Sequence, residues 1–192
     1  LSGQYKILAF VDIETTGLSP ASCEMIELGI LLYKYDEQLQ ILTEIDRYNG
    51  FEMPTYPIYP HITRLTGITN EMVKGQRFDD QKVIELFKQA DGIIAHNASF
   101  DRSFLLKRYS FLQDWKWHCS MRSVKWKEYG FINKKLTTLL DAHGISRENA
   151  HRAMDDIEAT AFLLQKINPE GNIYLTEVLK KVMSKPKSAV KR

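Results

Sequence analysis

Apolar positions come in short dense runs through the first quarter of the chain and at helical spacing through most of the rest. In residues 6–13 (KILAFVDI) both alternating sets are apolar, Leu8 and Phe10 on one side and Ile7, Ala9, Val11 and Ile13 on the other. That predicts a strand buried on both faces. Residues 25–35 and 38–47 predict two further strands joined by a tight turn at Asp36-Glu37. The Pro- and Tyr-rich MPTYPIYPH leads into a short helical stretch at Ile62–Leu65. Helices are then expected over 79–90, from an N-cap at Asn97 to Tyr109, over 121–129, over 136–143 with Gly144 as the stop, over 152–166 and over 174–183. Strands are expected at Gly92–Ala95 and Trp115–Cys119. Three consecutive strands followed by alternating helices and strands indicate an α/β domain with a mixed central sheet flanked by helices. We take residues 1–175 as that domain and 176–192 as a helix end and basic tail.

Several acids interrupt these apolar patterns. Asp12 and Glu14 are two apart at the carboxyl end of the first strand, so they share one face with Leu8 and Phe10. Ligands in open α/β sheets bind at that end. Thr15-Thr16-Gly17 follows, a turn able to offer backbone N–H groups to a phosphate or sugar. Asp101 falls in the first turn of its helix, on the side of Phe104 and Leu105. In the 152–166 helix, Ala153, Thr160, Leu163, Leu164 and Ile167 define a stripe at the helical period. Asp156 lies on that stripe, Asp155 points away from it, and His151 stands at the helix start. Buried carboxylates are costly unless a cation neutralises them. Their convergence calls for divalent cations and points to metal-assisted hydrolysis.

Composition adds bounds. A length of 192 residues, 44% hydrophobic and 26% charged, fits one soluble globular domain. Cys23 and Cys119 are far apart and in no C-x-x-C pair, which argues against a disulfide framework or a cysteine zinc site and suggests a reducing, cytoplasmic setting. No apolar run approaches the roughly 18 residues of a membrane span, so a membrane is not an expected partner. The net charge of +2 names no partner, but local charge does. From Arg102 to Lys135 nine Lys or Arg face only Asp114 and Glu128, with Trp115, Trp117 and Trp126 interleaved. Such a stretch suits phosphates and unpaired bases, although the aromatics suit a core equally well. The Leu179–Arg192 tail has six basic residues and no acid, and reads as a disordered extension adding nonspecific nucleic-acid affinity.

Three segments together resemble a known family, the DEDDh 3′–5′ exonucleases, and within it proteins similar to the epsilon proofreading subunit of bacterial DNA polymerase III. They are FVDIETTGL with Asp12 and Glu14, IIAHNASFDRSFL with Asp101, and HRAMDDIEAT with His151 and Asp156. The sister tyrosine class has Tyr where Arg152 stands. The resemblance covers Lys6 to Leu164 and implies a ribonuclease H-like fold and hydrolysis of phosphodiester bonds from a 3′ end, with release of nucleoside 5′-monophosphates. It also implies substrate contacts at Asn97 and Phe100, beside those open to Thr15 and Thr16. LTGIT at 65–69 resembles a substrate-proximal segment of the family, with Thr66 where many relatives carry His.

The chemistry is consistent with the residue types. Carboxylate oxygens suit two Mg²⁺ or Mn²⁺ ions better than Zn²⁺. An imidazole, whose reference pKa is near 6.5, can take up a proton around neutral pH, which suits His151 to accept one from water. The expected partner is a single-stranded or frayed 3′ end of DNA. The alternatives are an RNA-trimming enzyme like ribonuclease T or oligoribonuclease, and a catalytically silent nucleic-acid-binding module; docking on a polymerase is compatible with either.

Overall fold

The computed structural model describes residues 4–186. β1 (Tyr5–Thr15) is the centre of a five-stranded sheet, flanked by the antiparallel β2 (Met25–Asp36) on one side, with β3 (Ile41–Phe51) antiparallel beyond it. On its other side β4 (Gly92–Ala95) and then β5 (Lys116–Cys119) run parallel. The order β3-β2-β1-β4-β5 is the mixed sheet of a ribonuclease H-like fold.

Between β3 and β4 the chain makes α1 (Pro60–Thr66), the one-turn α2 (Asn70–Val73) and α3 (Asp80–Gln89). Then follow α4 (Ala98–Arg108), a 3-10 turn at Ser110–Asp114, the one-turn α5 (Ser120–Ser123), α6 (Leu136–Ala142), α7 (Ala153–Leu164) and α8 (Tyr174–Leu179).

The alternation read in β1 sorts the core into two layers. Leu8 and Phe10 join Leu31, Ile157, Leu163, Trp126 and Val178 under α7 and α8. Ala9, Val11 and Ile13 join Leu86, Phe87, Phe104, Leu105 and Trp117 under α3 and α4. α7 lies so close to β2 that a Cβ on Gly29 would come within 2.8 Å of Ile157 Cδ1 and 3.1 Å of Ala153 Cβ. That contact seats the α7 N-terminus directly on the sheet.

Some expected elements differ. The β2–β3 hairpin turns over residues 37–40, not at Asp36-Glu37, because the Asp36 carboxylate accepts from the amides of Gln38 and Leu39, both at 2.9 Å. The helix expected over 121–129 stops at Ser123, and the fully buried Trp126 turns its ring N–H back to the Ser120 carbonyl at 2.9 Å. The last helix ends at Leu179, since His118 Nδ1 lies against the carbonyls of Val178 (3.2 Å) and Lys181 (3.0 Å) and the Met183 amide donates to Trp117 in β5. α8, which straddles residue 175, buries Tyr174, Leu175 and Val178 in the core. Residues 187–192 of the expected basic tail lie outside the described residues. Among the described residues, no helix is long and apolar enough to cross a membrane.

Candidate active site

Topology gathers the acids. Asp12 and Glu14 end β1, β4 runs parallel beside β1, and α4 starts after β4, so Asp101 in its first turn points back toward them. α7 crosses the same sheet edge with Asp156 in its own first turn. Asp12, Glu14, Asp101, His151 and Asp156 all line one cleft of about 590 Å³, with Asn97 and Phe100 at its wall. Donor atoms of Glu14, His151 and Asp156 lie within 4.8 Å of one another.

The electrostatics are unusual for a folded protein. Asp101 is only 3% exposed and Asp156 8%. Buried oxygens Asp12 Oδ2 and Asp101 Oδ1 have no hydrogen-bond partner. Burial, then the neighbouring Asp156, Glu27 and Asp101, push the Glu14 carboxyl up to about 9. Burial likewise raises Asp101 to about 7, against backbone hydrogen bonds that oppose it. Asp12 is raised well above the carboxylate range by burial and by Asp101, Glu14 and Asp156. Burial raises Asp156 too, partly offset by the Arg147 guanidinium paired with it. Asp12 Oδ2 and Asp101 Oδ1 thus offer hard oxygen lone pairs that no protein donor takes, the kind of donor that Mg²⁺ or Mn²⁺ accepts.

His151 is exposed and has φ +61°, the left-handed region that a residue with a Cβ rarely adopts. The turn swings its imidazole over the carboxylates from the solvent side.

Other expected substrate residues sit differently. The Thr15 hydroxyl donates to the Gly17 carbonyl at 2.6 Å. Thr16 exchanges two bonds with Glu24, its amide donating at 2.9 Å and its hydroxyl accepting at 3.0 Å. That turn is therefore closed on itself, and the amide of Thr16 is not free for a phosphate. Thr66 is buried, its hydroxyl donating to the Ile62 carbonyl and accepting from the Ile68 amide, so it does not reach the cleft. Asn97 holds the α4 cap position without capping it, which leaves its exposed amide group directed by the cleft rather than by the helix. Trp117 and Trp126 are in the core, and Trp115 donates to the Phe87 and Ala90 carbonyls. Trp117 and Trp126 are therefore packing residues rather than a stacking surface, and each of the three indole N–H groups donates to a backbone carbonyl.

Leu18 and Arg147 are not marked in the sequence, and Lys135 only as the last residue of its basic stretch. Leu18 is 85% exposed on the cleft rim. Lys135 and Arg147 bring cations to its lining. Both come from loops, where no periodicity marks a position as inward-facing.

An exonuclease family model of the RNase T type matches residues 9–164. The chain is 36% identical over 163 residues to a PolC-type DNA polymerase III of Listeria welshimeri, a match covering 81% of this chain and 11% of that protein. It thus spans about a tenth of the length of the curated relatives it matches. Among solved structures, Escherichia coli exonuclease I in complex with a dT13 oligonucleotide is 20% identical, with TM-score 0.68, covering 83% of this chain and 40% of that one. A 3′-exonuclease described in 3′-end-specific recognition of a histone mRNA stem-loop is 20% identical, with TM-score 0.69, covering 97% and 72%. The family match takes in all three acid-bearing segments and most of the chain: the chain belongs to the DEDDh 3′–5′ exonuclease family.

Proposed function

We propose that this chain removes nucleotides from the 3′ end of DNA, as a proofreading, repair or end-trimming exonuclease that releases nucleoside 5′-monophosphates. One observation carries the reading: two buried carboxylate oxygens, on Asp12 and Asp101, lack any partner while Glu14, His151 and Asp156 converge beside them. Such oxygens cost folding energy, and a bound cation would complete them. Asp12, Glu14, Asp101 and Asp156 would hold two Mg²⁺ or Mn²⁺ ions, which supply charge stabilisation for the attacking and leaving oxygens. His151 takes the proton of the attacking water and, being exposed, passes it to solvent. Asn97 and Phe100 line the wall against which the terminal nucleotide rests, while Lys135 offers charge to its phosphates.

The choice of DNA rests on the PolC-type relatives, since the fold itself is found with a dT13 oligonucleotide in one neighbour and with histone mRNA recognition in another. Matched single-stranded DNA and RNA, labelled at either end, should be digested with Mg²⁺, Mn²⁺ or EDTA. Release of mononucleotides from 3′-labelled DNA, faster than from RNA and abolished by EDTA, is the expected result. Undiminished cleavage in EDTA rejects the metal reading; faster loss of RNA replaces DNA with RNA as the substrate.

A further inference from the structure

β2 carries a fifth carboxylate that the chemistry above leaves unused. Glu27 is fully buried and stands directly opposite Glu14 in the β1–β2 ladder, so both side chains share the face that α7 covers. Its two oxygens are occupied. Oε1 accepts from the Ala153 amide at 2.8 Å, the first N–H of α7, where a helix leaves a donor free and favours an anion. Oε2 accepts from Arg152 Nη2 at 3.0 Å, and Arg152 Nε is 3.3 Å from both oxygens. The guanidinium also lies 5.4 Å over the Phe51 ring, so Arg152 is held from two sides.

The residues Glu27 grips are those that join the two ends of the site. Arg152 follows His151, whose left-handed backbone persists only where its surroundings over-determine it. The Arg152 carbonyl accepts the Asp156 amide at 3.0 Å, the first turn of α7. We propose that Glu27, acting through Arg152 and the Ala153 amide, is the positioning residue that holds His151 and Asp156 against Glu14. Its charge matters as well as its shape: Gln could still accept from Ala153 but would turn an amide N–H₂ or a weaker oxygen toward the guanidinium. Glu27 does not line the cleft. The assignment rests on the exonuclease reading.

The test compares Glu27→Gln, Arg152→Met, their double variant and Arg152→Lys with the unaltered chain. Steady-state kinetics on a 3′-labelled single strand with Mg²⁺ are read beside amide hydrogen exchange across residues 151–156. Glu27→Gln should lower kcat by about 10–100-fold, the usual loss when a group supporting metal ligands is removed. KM should move less than about threefold, and exchange should rise over 151–156 while β1 and β2 stay protected. The double variant should be no worse than Glu27→Gln, and Arg152→Lys should recover part of the loss seen in Arg152→Met. A kcat for Glu27→Gln within about twofold of the unaltered chain, or additive losses in the double variant, overturns the proposal. If the unaltered chain does not hydrolyse any 3′ end, the exonuclease reading fails separately, and unchanged exchange over 151–156 in Glu27→Gln then rejects the positioning role by itself.

Discussion

Two clusters of acids in this molecule are built from the same residue types and treated in opposite ways. Between α3 and α4, Arg108 bonds Glu52 at 2.5 Å and Asp80 at 2.9 Å, and the Tyr109 hydroxyl donates to Asp80 at 2.7 Å. Burial alone would raise the Asp80 carboxyl, but Arg108 and Tyr109 outweigh it and hold it below its ordinary range. At the cleft, Asp156 is the one acid that Arg147 pairs with, and Asp12 and Asp101 keep oxygens with no partner. One cluster is a closed knot that ties α3, α4 and the end of β3 together; the other is left short of positive charge. The difference separates a structural use of carboxylates from a ligand-binding one. The knot holds two acids, one of them the exposed Asp80, whereas the cleft gathers four, with Asp101 and Asp156 buried, and gives them less counter-charge.

The comparison breaks most sharply at its two centres. Asp101→Asn should bring Mg²⁺-dependent hydrolysis to the assay floor while raising the Tm of the metal-free protein, because it removes like-charge repulsion and an uncompensated buried charge. A hydrolysing Asp101→Asn, or one that melts earlier without metal, contradicts the account of the cleft. His151→Ala should lower turnover by about 10²–10⁴-fold with a much smaller change in affinity, as for a general base. A rate unchanged from slightly acidic to neutral pH removes His151 from the proposed chemistry.

Arg108→Met probes the other cluster. It removes the guanidinium from both carboxylates, leaving the Tyr109 hydroxyl on Asp80 and the Phe78 amide on Glu52, and should cost about 1–3 kcal/mol of stability, read by denaturant unfolding, with turnover of the remaining folded protein nearly intact. A large loss of kcat without destabilisation would show that the knot reaches the cleft.

A pH scan sharpens the same contrast. In the cleft the folded-state pKa of Glu14 is raised from its ordinary 4.5 to about 9, so between those values the folded chain binds more protons than the unfolded one. Stability of the metal-free protein must therefore fall as pH rises through that window, and Asp101, raised to about 7, adds to the fall over its lower part. Asp80 has the opposite sign: its lowered pKa contributes stability that is lost only as pH drops below the ordinary carboxylate range. Metal-free Tm should decline from about pH 5 to pH 9, and Mg²⁺ should restore most at the alkaline end. A flat metal-free profile means that the cleft acids are compensated after all.

How far each cluster could be read from the sequence follows from periodicity. The strand alternation of β1 put Asp12 and Glu14 on one face, and the helical period singled out Asp156, because both patterns are local and regular. Arg147 and Lys135 sit in loops without a period, and their arrival at the cleft depends on long-range packing. Glu27 had a visible signal, an acid inside the apolar run MIELGILL, yet its partners lie 125 and 126 residues away in the chain. The aromatic stretch misled for a related reason: basic residues flank Trp117 and Trp126 in sequence, whereas the fold turns the two indoles inward. Fold and carboxylate set were legible; the counter-charges were not.

The smallest expected effect belongs to the neighbour of a site residue. Successive positions on a helix are rotated by about 100°, so Asp155 and Asp156 cannot face the same way. Asp156 is buried on the cleft side, while Asp155 is half-buried and lines a separate groove with Ser146, Glu158 and Phe162. It has no part in the convergence of Glu14, His151 and Asp156. Asp155→Asn should therefore change stability by less than about 0.5 kcal/mol, the usual range for a surface substitution, and leave the Mg²⁺ dependence of turnover where it is. Asp156→Asn should lose turnover at every Mg²⁺ concentration, although Asn fits the same space and removes only the charge. Turnover of the two variants across one Mg²⁺ titration decides the matter. If the inactive variant is Asp155→Asn, then the face of α7 that meets the cleft has been misassigned, and the contrast between the two acid clusters loses its fourth carboxylate.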